Sequence, residues 1–345
     1  IADYGSYISH QESEFWKMNI SNMKEGSFTG LPLLMKIRDN IYAAITEANI
    51  DDWPGFYLAR KTDTPSNDYV LYPKLSPKPG TKGMNKVIFK GSHYSPWRVI
   101  MLGETPGDLI ESEIIVNLNE ACAIEDPSWI QPGLCAWDHW WSGGVVMDTE
   151  TIKEYIQLAS DMGWPYMLID WQWYGPYNQP DADITTVAPS VDMDEVRRFA
   201  RNKNVCLWLW LYWSDAARNY EDAFALYEKW GIAGVKIDFM QRDDQEMVNW
   251  YRDIVKKAAE HHLMVNFHGS FKPDGFRRTY PNLMTREGVL GNEYSKWSER
   301  ITPEHNITIA FTRMLAGPMD YTPGGFLNKT PEEFRPGSPA HVMNT

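Results

Sequence analysis

The pattern of apolar and polar positions changes character near residue 125. Before it, short runs rich in β-branched and aromatic residues are separated by Pro, Gly, Asn and Asp, which is typical of β-strands. The proline-rich stretch Thr62–Lys86 is predicted to be a long loop. We expect residues 1–125 to be the end of a β-sandwich domain with its linker, whose earlier strands lie outside this chain. The predicted strands are Ile41–Glu47, Gly55–Ala59, Val87–Lys90, Trp97–Leu102 and Ser112–Leu118.

From residue 126 onward, short apolar runs alternate with amphipathic stretches of helical period, such as Thr149–Met162 and Asp244–His262. The predicted strands are Cys135–Trp141, Tyr166–Trp171, Val205–Trp210, Gly234–Phe239, Leu263–Phe267, Leu283–Arg286 and Ile307–Phe311. Their starts lie roughly 20 to 40 residues apart, which favours βα units over a hairpin sheet. We therefore predict an α/β fold in which residues 126–345 form a (β/α)8 TIM-type barrel, truncated before its last unit.

Composition narrows the function classes. The chain carries 33 Lys and Arg against 46 Asp and Glu, a net charge of −13, whereas nucleic-acid binding requires a basic surface. No run approaches the ~20 apolar residues that span a bilayer. Cys122, Cys135 and Cys206 are too scattered for a disulfide framework or zinc site, and we expect them to be buried. Aromatic residues make up 14% of the chain, which favours a carbohydrate ligand, because sugar C–H faces pack on aromatic rings.

Polar residues interrupt the tips of nearly every predicted barrel strand, where a barrel places its working groups. Lys236 and Asp238 alternate onto the same face of one strand, so the cation would favour the ionised carboxylate that a nucleophile requires. A purely structural Lys–Asp pair is the alternative interpretation. The strand-tip residues are Asp138, His139, Asp170, Asp215, Lys236, Asp238, Asn266, His268, Arg286 and Glu287.

Two glutamates follow the sixth predicted barrel strand. Glu287 and Glu293 are separated by a segment with Gly288 and Gly291, which allows a turn that aims both carboxylates inward. With a further carboxylate they could hold Ca²⁺, which prefers oxygen ligands, although the spacing matches no EF-hand loop. A solvated acidic loop is the alternative.

Several of these segments together resemble glycoside hydrolase family 97, a family of calcium-dependent α-glucosidases and α-galactosidases. The resemblance implies a β-sandwich, a catalytic (β/α)8 barrel and a small C-terminal β domain, of which this chain would hold the end of the first and most of the second. The segments are Ile45–Glu47, Trp53–Leu58, Val235–Met240, Met264–His268, Thr285–Glu293 and Phe311–Gly324, the last being the most specific.

The resemblance also indicates a mechanism. Inverting members lack a carboxylate at the end of the fourth strand and carry a base Glu after the His that ends the fifth, whereas retaining members have an Asp at the first position and no Glu at the second. Here the two positions are Asp238 and Gly269. The chain therefore resembles the retaining, α-galactosidase-like branch.

The resemblance implies a role for each site residue. Asp238 would be the nucleophile and Glu293 the acid/base, with Ca²⁺ held by Glu47, Glu287 and Glu293. Lys236 would contact a sugar hydroxyl. Further substrate-pocket candidates, chosen on position, are Asp138, His139, Trp171, His268 and Arg286.

The expected protein is a retaining exo-α-galactosidase acting on an oligosaccharide or glycoside, and the family resemblance implies a periplasmic or secreted location. An α-glucosidase, a β-L-arabinopyranosidase or a non-catalytic carbohydrate-binding protein are the alternatives.

Overall fold

The computed structural model describes residues 6–61, 69–81, 86–140, 144–325, 327–337 and 341–343, and a sheet-rich first region precedes a parallel α/β second region. In the first region, two three-stranded antiparallel sheets have the orders β1-β4-β5 and β2-β3-β6. The strands are β1 (Phe28–Thr29), β2 (Leu33–Arg38), β3 (Ile41–Ala48), β4 (Phe56–Lys61), β5 (Val70–Leu75) and β6 (Trp97–Gly103). Two short helices follow, α1 (Pro106–Ile110) and α2 (Ile114–Asn117).

The second region is built on a six-stranded parallel sheet in sequence order. The strands are β7 (Cys135–Trp137), β8 (Tyr166–Ile169), β9 (Cys206–Tyr212), β10 (Gly234–Asp238), β11 (Met264–Phe267) and β12 (Leu283–Arg286). The helices are α3 (Thr149–Asp161), α4 (Met193–Asn202), α5 (Trp213–Trp230), α6 (Gln245–Glu260) and α7 (Pro303–Ala310), and the last strands are β13 (Leu327–Lys329) and β14 (His341–Met343). All residues of β8 and β10 are buried, as expected for strands covered on both faces. The arrangement is that of a partial α/β barrel.

Four predictions about elements were wrong. Residues 112–118 contain α2, and residues 307–311 overlap α7, which begins after the capping Thr302 with Pro303 in its first turn. Val87–Lys90 is not a strand, while β5 lies inside the predicted loop, with Pro73 on an edge strand where a missing N–H is tolerated. Parts of the predicted loop Thr62–Lys86 and the last residue of the predicted strand Cys135–Trp141 lie outside the described residues, namely residues 62–68, 82–85 and 141.

The segment that pairs with β12 is not the predicted strand at residues 307–311. Met319 pairs in parallel with Arg286, so the chain near residue 319 extends the sheet where a seventh strand was expected at 307–311. This pairing carries Asp320 to the carboxyl edge of the sheet.

The three cysteines are free and exposed, which contradicts the expectation that they are buried. None of the helices in the described residues combines the length and apolar character needed to cross a bilayer.

Candidate functional site

Asp238 ends β10 at the carboxyl edge of the parallel sheet. The Trp210 indole Nε1 donates to its Oδ2 at 3.2 Å, and the Phe239 backbone N–H donates to its Oδ1 at 2.7 Å. The carboxyl group is thus fixed by one donor from β9 and one from its own turn. A defined orientation of this kind is what a nucleophile requires.

Lys236 lies two residues earlier on the same face of β10, as the alternation of strand side chains predicts. Its Nζ donates to Asp170 Oδ2 at 3.2 Å and is 3.9 Å from Asp238 Oδ2. Burial alone would lower the pKa of Lys236, but the carboxylates of Asp170 and Asp238 raise it above its ordinary value. Lys236 is therefore a buried, permanently charged group between two carboxylates.

Asp170 is the main hydrogen-bonding partner of Lys236. Besides Lys236, the Trp137 indole Nε1 donates to its Oδ2 at 2.6 Å, and the Lys236 ammonium lies 4.2 Å from the Trp137 ring centroid. Burial raises the pKa of Asp170, yet the positive charges of Lys236 and His139 lower it below its ordinary value overall.

Three predicted residues, His268, Glu287 and Glu293, meet in one acidic cluster. One ligand atom from each lies within 4.8 Å of the others. Glu287 Oε2 accepts from the Gly269 N–H at 3.0 Å and is 3.3 Å from His268 Nδ1. Burial raises the pKa of Glu287 well above its ordinary value, and the charges of Glu12, Glu293 and Asp238 raise it further.

Glu12 belongs to this cluster, although sequence reasoning missed it. Its carboxyl group lies within hydrogen-bonding reach of the Tyr294 hydroxyl and of Glu287. Burial raises its pKa above the ordinary value. It arrives on the segment before β1, more than 250 residues from Glu287 in sequence, so no local spacing could have revealed it.

Asp320 was missed as a site residue, although it lies in the run that carried the strongest family resemblance. Its Oδ2 accepts from Asn266 Nδ2 at 2.6 Å and lies 2.7 Å from His268 Nε2. Burial would raise the pKa of Asp320, but the nearby His268 and the Asn266 hydrogen bond lower it. Asp320 therefore orients His268 from the side opposite Glu287.

Glu293 is connected to β7 through Lys296. The Lys296 ammonium donates to Glu293 Oε1 at 3.2 Å and to the His139 carbonyl at 2.6 Å. His139 is buried, with its Nδ1 2.7 Å from Asp138 Oδ1, and its ring packs edge-on against Trp171 at 5.5 Å. Asp138, His139 and Trp171 are thus joined to the acid/base candidate.

Glu47 does not join the acidic cluster. It is fully buried between the first region and the loop after β11, where Lys272 donates to Oε1 at 2.5 Å, Arg98 pairs with Oε2 and the Phe56 N–H donates to Oε1. Both of its oxygens are therefore engaged by protein cations. The structure gives it the role of a buried ion-pair partner.

Arg286 is also turned away from the acidic cluster. Its guanidinium donates to the Lys272 carbonyl, lies 3.5 Å from Asp274 Oδ1 and stacks 4.5 Å above the Phe271 ring. Glu287 follows Arg286 directly, and neighbouring residues of an extended chain point to opposite faces. Arg286 therefore stabilises the packing of the sheet on its outer layer.

The acidic cluster fits a hard cation. Glu12, Glu287 and Glu293 offer carboxylate oxygens, the donors that Ca²⁺ prefers. Burial raises the pKa of Glu287, and the mutual repulsion of these carboxylates raises it as well. A bound divalent cation would offset that repulsion. His268 contributes a nitrogen, a less suitable calcium donor, and is already held by Asp320.

Known proteins similar to this chain share both of its regions. The family model described as Glycosyl-hydrolase 97 N-terminal matches residues 2–121, and that of Glycoside hydrolase 97 matches residues 134–289. A retaining alpha-galactosidase of Bacteroides thetaiotaomicron is 31% identical over 97% of this chain and 53% of its own length. A probable retaining alpha-galactosidase of Streptomyces bingchenggensis is 37% identical over 70% of this chain and 38% of its own length.

A solved structure of the same family is similar over most of this chain. A glycoside hydrolase family 97 enzyme from Pseudoalteromonas sp. strain K8, in complex with acarbose, superposes with a TM-score of 0.83 at 30% identity, covering 94% of this chain and 53% of that one. The chain thus spans about half the length of the Bacteroides and Pseudoalteromonas relatives. With both regions matched by models of one family, the chain belongs to glycoside hydrolase family 97.

Proposed function

We propose that this protein hydrolyses terminal α-galactosides with retention of configuration, using Asp238 as nucleophile and Glu293 as acid/base. The observation that carries the proposal is a carboxylate held by two hydrogen bonds at the end of β10, while the position after His268 is a glycine with no side chain to serve as a base. The names of the two curated relatives support the same substrate and stereochemistry.

The proposed reaction has two displacements. An Asp238 oxygen attacks the anomeric carbon while Glu293 gives its proton to the departing glycosidic oxygen, leaving a covalent glycosyl ester. Glu293 then takes a proton from water, whose oxygen attacks the anomeric carbon and frees Asp238. Lys236 would hold a sugar hydroxyl beside Asp238, and the positive charges of Lys236 and Lys296 keep this part of the site from becoming uniformly acidic.

Ca²⁺ is the proposed cofactor. Glu287, Glu293 and Glu12 would hold it, with Glu12 taking the place that sequence reasoning gave to Glu47. Bound there, the ion would supply positive charge and Lewis acidity to the site. The chain's own contribution is to keep Glu287 in place through the Gly269 N–H, and His268 in place through Asp320.

Two further proposals concern the fold and the location of the protein. We propose that the six-stranded parallel sheet is the larger part of a (β/α)8 barrel, since its strands run in sequence order with helices between them. We also propose a periplasmic or secreted location, which rests on the family resemblance.

The anomeric configuration of the first product tests the mechanism. Proton NMR of early hydrolysis of an aryl α-galactoside, recorded before mutarotation, should show the α-anomer first. A β-anomer would contradict retention and the role of Asp238. Parallel assays on aryl α-glucoside and β-L-arabinopyranoside compare the alternative substrates, and absence of turnover on all three, with calcium present, would favour a binding protein.

A further inference from the structure

Gly269 occupies a crowded position between the turn that follows Asp238 and the acidic cluster. Its backbone has φ +53°, in the left-handed region that favours glycine. A Cβ atom there would lie 2.8 Å from His10 Nδ1 and 2.9 Å from both the Cα and the N of Phe239. Two of these three contacts are with backbone atoms, which cannot rotate away.

The Phe239 nitrogen that a Cβ would strike is the one that holds Asp238. Its N–H donates to Asp238 Oδ1 at 2.7 Å, and Phe239 itself has φ +69°, which is rare for a residue with a bulky side chain. The Gly269 carbonyl accepts from the Gln241 N–H at 2.8 Å, which closes the same turn. The left-handed turn at Phe239 therefore requires a residue without a side chain at position 269.

The other side of Gly269 contacts the acidic cluster. Its N–H donates to Glu287 Oε2 at 3.0 Å. One residue thus links the candidate nucleophile, through the turn 239–241, to the carboxylate that lies beside Glu293. A displacement of Gly269 would move both groups at once.

We propose that Gly269 is a positioning residue for the retaining mechanism, because only the absence of a side chain allows the Phe239 turn to close on Asp238. The inference rests on the proposed function and deepens it. A base Glu at residue 269 would carry its Cβ into the Phe239 backbone, so it cannot be added while the Asp238 turn is kept.

The first test compares Gly269→Ala with Gly163→Ala. Gly163 has φ +68° and no neighbour within 4 Å of a Cβ, so its variant carries the same backbone strain without the contact. We expect kcat on an aryl α-galactoside to fall about 10²-fold in Gly269→Ala, the usual effect of a ~1 Å misplacement, with KM changed less than about twofold. Gly163→Ala should keep the wild-type kcat. A wild-type kcat in Gly269→Ala would overturn the proposal.

A second test separates the backbone contact from the His10 contact. His10→Ala removes the side-chain neighbour, so the double variant His10→Ala with Gly269→Ala should be as slow as Gly269→Ala alone. Full recovery in the double variant would show that His10, not the Phe239 turn, imposes the glycine. His10→Ala alone supplies the baseline for this comparison.

The third readout does not depend on turnover. A crystal structure of Gly269→Ala should show the distance from Phe239 N to Asp238 Oδ1 lengthened beyond the normal limit of about 3.2 Å. An unchanged turn that accommodates the alanine would overturn the proposal even if activity were lost. If the wild-type protein were inactive on every glycoside while this displacement were still seen, the proposed function would fail but the steric coupling would stand.

Discussion

Two buried glutamates, Glu47 and Glu287, were both expected to bind calcium, and the structure gives them opposite surroundings. Glu47 lies in β3 of an antiparallel sheet, with Lys272 and Arg98 on its oxygens. Glu287 lies at the carboxyl edge of the parallel sheet, where burial and the charges of Glu12, Glu293 and Asp238 raise its pKa. Burial is nearly equal, at 0% and 5% exposure, so burial does not distinguish them.

The surroundings of these two glutamates distinguish a structural carboxylate from a functional one. A buried charge that the fold has already neutralised stabilises the fold, and removing it leaves other charges uncompensated. A buried group of like charges is costly for stability and is retained where a ligand, a proton or a metal balances it.

The largest effect is expected for Asp238→Gly. Loss of the nucleophile should reduce kcat on an aryl α-galactoside by about 10⁴-fold or more, while the protein stays folded. Added azide should restore turnover and give the β-galactosyl azide. Near-normal activity without azide would contradict the assignment of Asp238.

Glu47→Gln should act on stability instead. We expect a loss of about 3–5 kcal/mol in the free energy of unfolding, because Lys272 and Arg98 lose their shared counter-charge in a buried position. Urea denaturation measures it. Glu246→Gln is the control, since its pair with Lys78 is exposed and should contribute less than about 1 kcal/mol. If Glu47→Gln weakened calcium binding while leaving stability unchanged, the contrast between the two regions would be lost.

Asp243 makes the stability of the Glu47 region depend on pH. The pKa of Asp243 is raised from 3.8 to about 6, chiefly by burial and in part by the charge of nearby Glu47. The hydrogen bond that Tyr57 donates to Asp243 acts in the opposite direction. A carboxyl whose folded-state pKa is raised stabilises the fold when protonated. This contribution is complete below about pH 4 and is lost as the pH rises through about 6.

The free energy of unfolding of wild type relative to Asp243→Asn should therefore increase by up to about 3 kcal/mol as the pH falls from 7.5 to 4.5. Urea titrations at several pH values measure it. Asp148→Asn is the control, because the Thr151 N–H lowers the pKa of Asp148 below 3.8, so its contribution should stay nearly constant over this pH range. A difference independent of pH would contradict the raised pKa of Asp243.

The smallest effect is expected for Glu287→Gln. Calcium affinity, measured by isothermal titration calorimetry, should fall at least about 10-fold, the range observed when even an outer partner of a metal ligand is lost. Glu47→Gln should keep the wild-type affinity. Equal losses of calcium affinity in both variants would show that Glu47 is also a calcium ligand, and would contradict the difference between the two glutamates.

The sequence was most informative where a residue's role follows from its strand. The alternation in β10 correctly put Lys236 beside Asp238, and the glycines after β12 allowed Glu287 and Glu293 to meet at His268. It failed where sequence neighbours do not decide the environment, as at Glu47, whose partner Lys272 is 225 residues away. The domain division at residues 125 and 126 stays a prediction.

The six parallel strands and the polar residues at their tips could be predicted from the sequence, because strand period and βα spacing are local properties of the chain. Which buried carboxylates are neutralised depends on the tertiary structure. It brought Glu12 and Asp320 to His268 and Glu287, and it paired Glu47 with two cations. The physical reason is that electrostatic energy depends on distance in space, which sequence separation does not fix.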